Sequence, residues 1–255
     1  MADRLEIIGL PGVPMVQPGD NLHAFAISAL VDADIAPEPG DVLVVAQKIV
    51  SKAENRFVDI ATIKPSAEAE KLAAETGKDA RFVQVVLSES KRIVRHRENL
   101  IIAEHRLGFV MANAGIDHSN VAPGDGHERI LLLPVDPDSS ARALREELVA
   151  SYGVPIAVII SDSFGRPWRR GTVGIAIGAA GLPAIIDWRG HPDLFGRPLE
   201  VTETGFADEI AAAASLVMGQ ADEAMPMVLV RGLKWAAPEA DAAVLVRPPE
   251  HDLFR

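Results

Sequence analysis

The sequence predicts a mixed α/β fold in which helices flank a sheet. Apolar runs that begin near residues 41, 154 and 227 have the length and composition of buried strands. Between these runs lie stretches with helix start and stop signals. The clearest runs from the acidic, hydroxyl-rich segment at Asp136 to Gly153. Buried strands that alternate with such helices are typical of an α/β architecture.

The first half of the chain contains three predicted helices. Asp20 or Asn21 can cap the first of them, while Ser66 and Gly77 have the residue types that begin and end the second. The second and third helices follow each other directly and form an excursion from the sheet. The predicted elements are a strand at 4–9, a helix at 23–31, a strand within 41–54 that leads into a lysine-bearing segment, and helices at 66–76 and 81–90.

The second half is richer in strands. The uninterrupted apolar run from Val154 to Ser161 predicts a central strand buried on both faces, with Asp162 at its end. The predicted elements are strands within 93–112 and at 129–133, a helix at 136–151, strands at 154–161, 172–180 and 182–188, an alanine-rich helix at 206–218 and a last buried strand at 227–231.

Composition narrows the class of protein. The chain has 255 residues, 48% of them hydrophobic, which is enough to bury one large core or two modest ones. A formal net charge of -11 argues against broad binding to nucleic acid or to anionic membranes. The absence of cysteine excludes disulfides, thiolate zinc sites and thiol nucleophiles, and it fits a cytoplasmic location. No signal peptide or membrane-spanning run is expected.

Two aspartates are candidate metal ligands. Asp162 and the adjacent Ser163 follow the predicted central strand, where the loop beyond a strand commonly presents ligand-binding groups. Asp117 and Asn120, three positions apart, can direct two oxygens toward one cation. Either aspartate can equally well serve as a helix cap or a turn residue, and the residues alone leave both interpretations open.

Cationic residues supply the second half of a phosphate site. Arg166, Arg169 and Arg170 can neutralise phosphate charge with planar guanidinium groups, and we predict that they are catalytic. Lys48 and Lys52 follow a buried strand and can reach phosphates as point charges. A solvated basic loop and ordinary surface lysines are the alternatives.

Several familiar motifs are missing. The chain contains no P-loop, no HExxH zinc motif and no G-x-S-x-G nucleophile elbow. The glycines at 171, 174 and 178 are spaced differently from a dinucleotide-binding loop, and we interpret them as positions of close packing. Carboxylates beside cationic groups, with no covalent nucleophile, favour metal-dependent phosphoryl chemistry.

Longer segments resemble a known family. The chain is similar, in order and from about residue 5 to residue 235, to the coenzyme F420-0:L-glutamate ligase family. The segments that carry the similarity include VPMVQPGDNL, VVAQKIVSKAE, FVQVVLSES, NAGIDHSNV, IISDSFGRPWRRGTVGIAIG and DWRGHPDLFGRPLEVTETGFADEIAAAASLVMGQ. The resemblance implies a mixed, largely antiparallel sheet with flanking helices and an intertwined homodimer. It also implies one ligase domain over residues 1–255, either undivided or made of two subdomains, and no fused reductase domain.

The resemblance also assigns site residues. It places divalent metal ligands at Asp117, Asp162, Ser163 and Gln220, the last where some relatives have an acidic residue. It places contacts to GTP at Val13, Pro14, Met15, Val16, Gln47, Lys48, Lys52, Asn120, Met218, Gly219, Gln220, Ala221, Asp222, Glu223, Ala224 and Met225.

The implied reaction is GTP-dependent ligation of L-glutamate to coenzyme F420-0 through γ-glutamyl amide bonds. The implied cofactors are two Mg²⁺ or Mn²⁺ ions per subunit and K⁺. An acyl phosphate made from the coenzyme's carboxylate is attacked by the glutamate amine, so the protein needs mainly to position groups and neutralise charge. Two alternatives are a non-catalytic nucleotide- or deazaflavin-binding module and a metal-dependent phosphotransferase with another acceptor.

Overall fold

A computed structural model describes residues 4–118, 121 and 128–253 of the protein. Strands and helices alternate along the chain. The strands are β1 (Glu6–Gly9), β2 (Val42–Ala46), β3 (Phe57–Asp59), β4 (Ser90–Arg97), β5 (Leu100–His105), β6 (Val110–Ala112), β7 (Arg129–Leu131), β8 (Ala157–Arg166), β9 (Arg169–Ala180), β10 (Ile186–Asp187), β11 (Glu203–Thr204) and β12 (Met227–Arg231). The α-helices are α1 (Leu22–Asp32), α2 (Gln47–Ala53), α3 (Ala67–Thr76), α4 (Ala80–Ser88), α5 (Pro137–Tyr152) and α6 (Phe206–Met218).

The main sheet has five strands in the order β1-β12-β2-β8-β9. β2 and β8 run parallel, while the other neighbouring pairs of this sheet are antiparallel. The predicted mixed, largely antiparallel α/β fold is thereby confirmed. Side chains of β2 alternate between two cores, with Leu43 and Val45 facing α1 and α5 while Val42 and Val44 face α6. The sheet is therefore covered by helices on both faces.

Residues between α2 and α5 build a third core. Helices α3 and α4 pack against the small sheet β4-β5-β6 around Phe82, Val86 and Ile101, all of them buried. β7 returns from this region and pairs with β3. The predicted excursion of two helices followed by strands is confirmed, whereas β3 was not predicted.

Local capping signals located helix ends well. Asn21, rather than Asp20, caps α1 by accepting a hydrogen bond from the Ala24 N–H. Ser66 caps α3, and Gly77 ends it in the left-handed conformation. Helix caps depend on residues within one helical turn of the helix end, which is why the sequence alone reveals them.

The sequence predicts that the central strand ends at Asp162, but the strand continues beyond this residue. β8 continues to Arg166, and a hairpin returns the chain into β9, so that Asp162 pairs with Ile175. Parallel pairing with β2 stops one residue earlier, at Ser161, because α2 begins at Gln47. Asp162 therefore lies where its parallel neighbour ends, but on a continuing strand rather than on a loop.

Other predictions differ in part. The lysine-bearing segment after β2 is helix α2. Of the predicted strand at 182–188, only Ile186–Asp187 is extended, paired with a strand β11 that was not predicted. Isolated pairs of this kind have little local signal. Across the described ranges, no helix is long and apolar enough to cross a membrane.

Two of the three glycines of the GTVGIAIG segment are close-packing positions. A Cβ on Gly174 would lie 2.4 Å from the Ala211 carbonyl oxygen, and one on Gly178 would lie 2.2 Å from that of Pro137. At Gly171 nothing lies within 4 Å, and its positive φ of +86° instead serves the irregularity near the start of β9, where the register with β8 shifts between Gly165 and Arg166. The close-packing interpretation was wrong for Gly171.

Gly178→Ala is expected to lower the free energy of unfolding by about 1–3 kcal/mol, because α5 must move away from β9 to admit a methyl group. Gly174→Ala, which meets α6, should behave in the same way. Chemical denaturation followed by circular dichroism measures the effect. A variant as stable as the wild type would show that the helices approach the sheet less closely than described.

Candidate functional site

A cavity of about 420 Å³ opens beside the junction of β2 and α2. Four parts of the chain meet there: the loop after β1, the start of α2, the middle of β8 and the segment after α6. Asp117 closes a further side. The residues that line the cavity are Val13, Pro14, Met15, Val16, Ala46, Gln47, Lys48, Ile49, Lys52, Asp117, Ser161, Asp162, Ser163, Ser215, Met218, Gly219, Gln220, Ala221, Asp222, Glu223, Ala224, Met225 and Pro226.

The structure brings together almost every predicted ligand-binding residue. All predicted nucleotide contacts in the described part of the chain line this one cavity, as do the four predicted metal ligands. Asn120 lies outside the described residues. Ser161 and Ser215 line the cavity too and were not predicted, although Ser161 directly precedes Asp162 in the sequence.

Lysines and a carboxylate form the cationic side of the cavity. Lys48 Nζ lies 3.5 Å from Asp117 Oδ1, with each side chain about one quarter exposed. Lys52 is 5% exposed, and its pKa is lowered by burial and by the neighbouring charge of Lys48, against the opposing effect of Asp117. Two ammonium groups near a single carboxylate leave a net positive charge for an anionic ligand.

The acidic side combines Asp162 with Asp117. Burial and the nearby charge of Asp117 raise the pKa of Asp162 to about 7. Its Oδ1 accepts a hydrogen bond of 2.7 Å from the Ser163 N–H, which acts in the opposite direction. Burial also raises the pKa of Asp117, against the effect of Lys48. A cation between the two carboxylates would remove their repulsion.

The available donors suit a hard cation. Carboxylate, hydroxyl and amide oxygens from Asp117, Asp162, Ser163 and Gln220 line the cavity, and such oxygens are the ligands that Mg²⁺ and Mn²⁺ prefer. Among the residues that the structure describes, no three acidic or histidine side chains group closely enough to hold a metal by themselves. Bound phosphate oxygens or water would have to complete the coordination.

Gln47 is buried at the cavity wall. Its Nε2 donates to the Ser51 Oγ at 2.6 Å, while its Oε1 has no hydrogen-bond partner within the described residues. A buried acceptor without a partner is costly unless a ligand supplies a donor. This agrees with the prediction that Gln47 contacts the nucleotide.

The predicted catalytic arginines lie elsewhere. Arg166, Arg169 and Arg170 occupy the β8–β9 hairpin and do not line the cavity. Strand geometry places residue 166 about 13 Å along β8 from Asp162. Trp168 at the turn is 87% exposed, with a positive φ of 64°. Their catalytic role stays a prediction that this arrangement does not by itself support.

The chain is similar in sequence to proteins of one enzyme family. The family profile for F420-0:Gamma-glutamyl ligase matches residues 12–232. The coenzyme F420:L-glutamate ligase of Methanothermobacter thermautotrophicus is 48% identical, over 98% of this chain and 99% of the relative. Those of Methanocaldococcus jannaschii and Methanopyrus kandleri are 44% and 46% identical over at least 97% of either partner in each alignment.

The match covers the cavity as well as the fold. Every cavity-lining residue, from Val13 to Pro226, falls within the range that the profile matches. Identity above 40% over nearly the whole length is far beyond what a shared fold alone produces. This chain is therefore a member of the F420-0:gamma-glutamyl ligase family.

Proposed function

We propose that the protein joins L-glutamate to coenzyme F420-0 through γ-glutamyl amide bonds and uses GTP to drive the reaction. The observation that carries the proposal is the meeting of Lys48 and Lys52 with Asp117 and Asp162 in one cavity. Cations that can neutralise a triphosphate lie there beside carboxylates that can hold a divalent ion. Amide formation from a carboxylate needs both, because the carboxylate oxygen is a poor leaving group.

In the first step, a coenzyme carboxylate oxygen attacks the γ-phosphorus of GTP. A new P–O bond forms, the bond from the γ-phosphorus to the bridging oxygen breaks, and GDP leaves. Lys48 and Lys52 offset the negative charge that accumulates on the bridging and terminal oxygens. Because Lys52 is almost fully buried, its attraction for phosphate is weakly screened by water.

In the second step, the glutamate amine attacks the carbonyl carbon of the acyl phosphate. The C–N bond forms, phosphate leaves with the C–O bonding electrons, and the amine loses a proton. Neither step requires a side chain of the protein to form a covalent bond with the substrate. Its residues orient the reactants and exclude water that would otherwise hydrolyse the acyl phosphate.

Asp117, Asp162, Ser163 and Gln220 would hold two Mg²⁺ or Mn²⁺ ions. Such ions, when bound, neutralise phosphate oxygens and align the γ-phosphoryl group for transfer. The mutual effect of the two carboxylates on the pKa of Asp162 supports a cation at this position. Stimulation by K⁺ belongs to the same proposal and is tested by replacing KCl with NaCl in the assay.

The test is a reconstituted reaction with coenzyme F420-0, GTP, L-glutamate and MnCl₂. Mass spectrometry should detect products heavier by whole glutamyl units. Sustained GDP release over many turnovers should require both the coenzyme and glutamate, because without glutamate each site can form the acyl phosphate only once. Replacing GTP by ATP provides the control for nucleotide choice. GDP release without amide formation would favour a phosphotransferase with another acceptor. Binding without any GDP release would favour a non-catalytic module.

We further propose a homodimer that forms through the segment joining β10 to β11. Leu194 is 100% exposed, Phe195 88% and Val201 84%, which is unusual for large apolar side chains on one short segment. Burial against a second copy would remove this apolar surface from water.

The double variant Leu194→Ser/Phe195→Ser is expected to shift the protein from dimer to monomer at micromolar concentration. Size-exclusion chromatography with light scattering measures the mass directly. The control is Leu216→Ser, because Leu216 is 82% exposed on α6, outside this segment. A double variant that keeps the dimer mass would show that the interface lies elsewhere.

A further inference from the structure

A second cavity, of about 470 Å³, borders the segment that carries Asp117. Asp117 is extended and exchanges backbone hydrogen bonds with Leu131, so successive side chains point in opposite directions. Asp117 accordingly lines the first cavity, whereas Ile116 and His118 line the second. The remaining lining residues are Ile60, Lys78, Asp79, Phe82, Asn113 and Glu128. One extended segment thus separates the two cavities.

The deep wall of the second cavity is apolar and aromatic. Ile60, Phe82 and Ile116 are each less than one tenth exposed. The His118 ring packs on Phe82 with centroids 4.9 Å apart, and Lys78 Nζ lies 5.4 Å from the Phe82 centroid. Such walls bind flat, aromatic ligands through dispersion and stacking.

One polar group in this wall has an unmet requirement. Asn113 Oδ1 is buried and accepts no hydrogen bond within the described residues. Asn113 also has a φ of +51°, a conformation that is held at some cost. A ligand that donates an N–H group to this oxygen would satisfy it.

We propose that the second cavity binds the deazaflavin ring of coenzyme F420-0, an assignment that rests on the proposed function. A flat heteroaromatic ring with an N–H group matches both the apolar wall and the Asn113 acceptor. L-Glutamate and phosphate fit less well, because the charge of Lys78 is offset by Asp79 and Glu128, so the lining offers an anion no net positive charge. Because residues 116–118 line both cavities, a ring held here leaves only this segment for the coenzyme side chain to cross before its carboxylate reaches the first cavity.

The first test measures affinity for coenzyme F420-0 by the polarisation of its own fluorescence, without nucleotide or glutamate. Asn113→Gly removes the side-chain acceptor, and glycine tolerates the positive φ. We expect its Kd for the coenzyme to rise about tenfold, which corresponds to loss of about one buried hydrogen bond. The Kd for GTP should stay unchanged.

A matched control exists in the same part of the molecule. Asn99 also has a positive φ, of 61°, in the turn between β4 and β5, and it does not line the cavity. Asn99→Gly should leave both affinities at wild-type values. His118→Ala should also weaken binding of the coenzyme, because it removes one ring of the Phe82–His118 pair. Lys48→Met should weaken binding of GTP. It should leave unchanged the binding of the deazaflavin nucleoside, a probe that lacks the charged side chain of the coenzyme.

Unchanged coenzyme affinity in both Asn113→Gly and His118→Ala would overturn the proposal. Equal weakening of GTP and the coenzyme by Asn113→Gly would overturn it as well, because that result indicates general distortion. These binding measurements are separate from turnover. A protein that forms the amide yet binds the coenzyme independently of both residues contradicts only this cavity assignment and leaves the proposed ligase reaction standing.

Discussion

Asp162→Asn is expected to reduce ligase turnover at least about a hundredfold and, at the same time, to stabilise the metal-free protein above pH 7. Turnover falls because an amide is a weaker cation ligand than a carboxylate. Stability rises because the wild-type carboxylate is ionised at a partly buried position near Asp117. A change that removes function while stabilising the fold is typical of an active-site charge.

The sign of the pH effect follows from the raised pKa. An unfolded aspartate releases its proton near pH 3.9, whereas Asp162 keeps it to about pH 7. Between these values the native state binds more protons, so the wild-type free energy of unfolding falls as pH rises. The asparagine variant lacks this fall. Since water enters the open cavity, we expect a difference of about 1–3 kcal/mol at pH 8.

Urea unfolding with EDTA at pH 4, 6 and 8 measures this difference. Asp32→Asn is the control, because Asp32 is exposed on α1 and does not line the cavity. Saturating Mn²⁺ should stabilise the wild type and have much less effect on Asp162→Asn, by mass action on the folded state. Parallel wild-type and variant stabilities across this pH range would show that Asp162 is not under electrostatic strain.

The parts of the fold that the sequence predicted well depend on local interactions. The bounds of α6 and β12 agree with the prediction, because the alanine-rich run and the apolar pentamer each carry a strong signal over their own length. β11 had no such signal, and the run at 182–188 that was predicted as one strand forms only the dipeptide β10. Their pairing joins two dipeptides across a long connection, and only the tertiary arrangement makes them strands.

The site shows the same division. Lys48 and Asp117 are far apart in the sequence and meet only because the excursion between them returns beside α2, so their contact could not be derived from spacing. Family resemblance supplied that information. The clustering of Arg166, Arg169 and Arg170 predicted that they bind phosphate. The direction of the β8–β9 hairpin decides which groups these side chains can reach, and none of the three lines the cavity.

Asp138 has a role that the local sequence does not reveal. It resembles an ordinary acidic residue in the first turn of α5, yet its Oδ1 accepts hydrogen bonds of 2.8 Å from the N–H groups of Ala179 and Ala242. Its Oδ2 accepts a third bond, of 3.2 Å, from Ala243. β9 is an edge strand of the main sheet, so this carboxylate supplies the acceptor that a neighbouring strand would otherwise provide.

Asp138→Ala is therefore expected to lower the free energy of unfolding by about 3–5 kcal/mol, because it leaves three donors without their acceptor and two of these bonds are buried. Asp138→Asn keeps an oxygen at the Oδ1 position but sets an NH₂ group against the Ala243 N–H, so it should cost about 1–2 kcal/mol. Asp136→Ala, which removes a single capping bond to the Ser139 N–H, should cost about 1 kcal/mol.

Thermal and urea unfolding of the three variants give the ranking directly, and hydrogen exchange at Ala179 and Ala242 locates the effect. Both amides should exchange faster in Asp138→Ala and stay protected in Asp138→Asn. If Asp138→Ala instead costs no more than Asp136→Ala, the carboxylate acts only on its own helix. In that case the hydrogen bonds from Ala242 and Ala243 to Asp138 contribute little, and apolar packing holds this segment to the sheet.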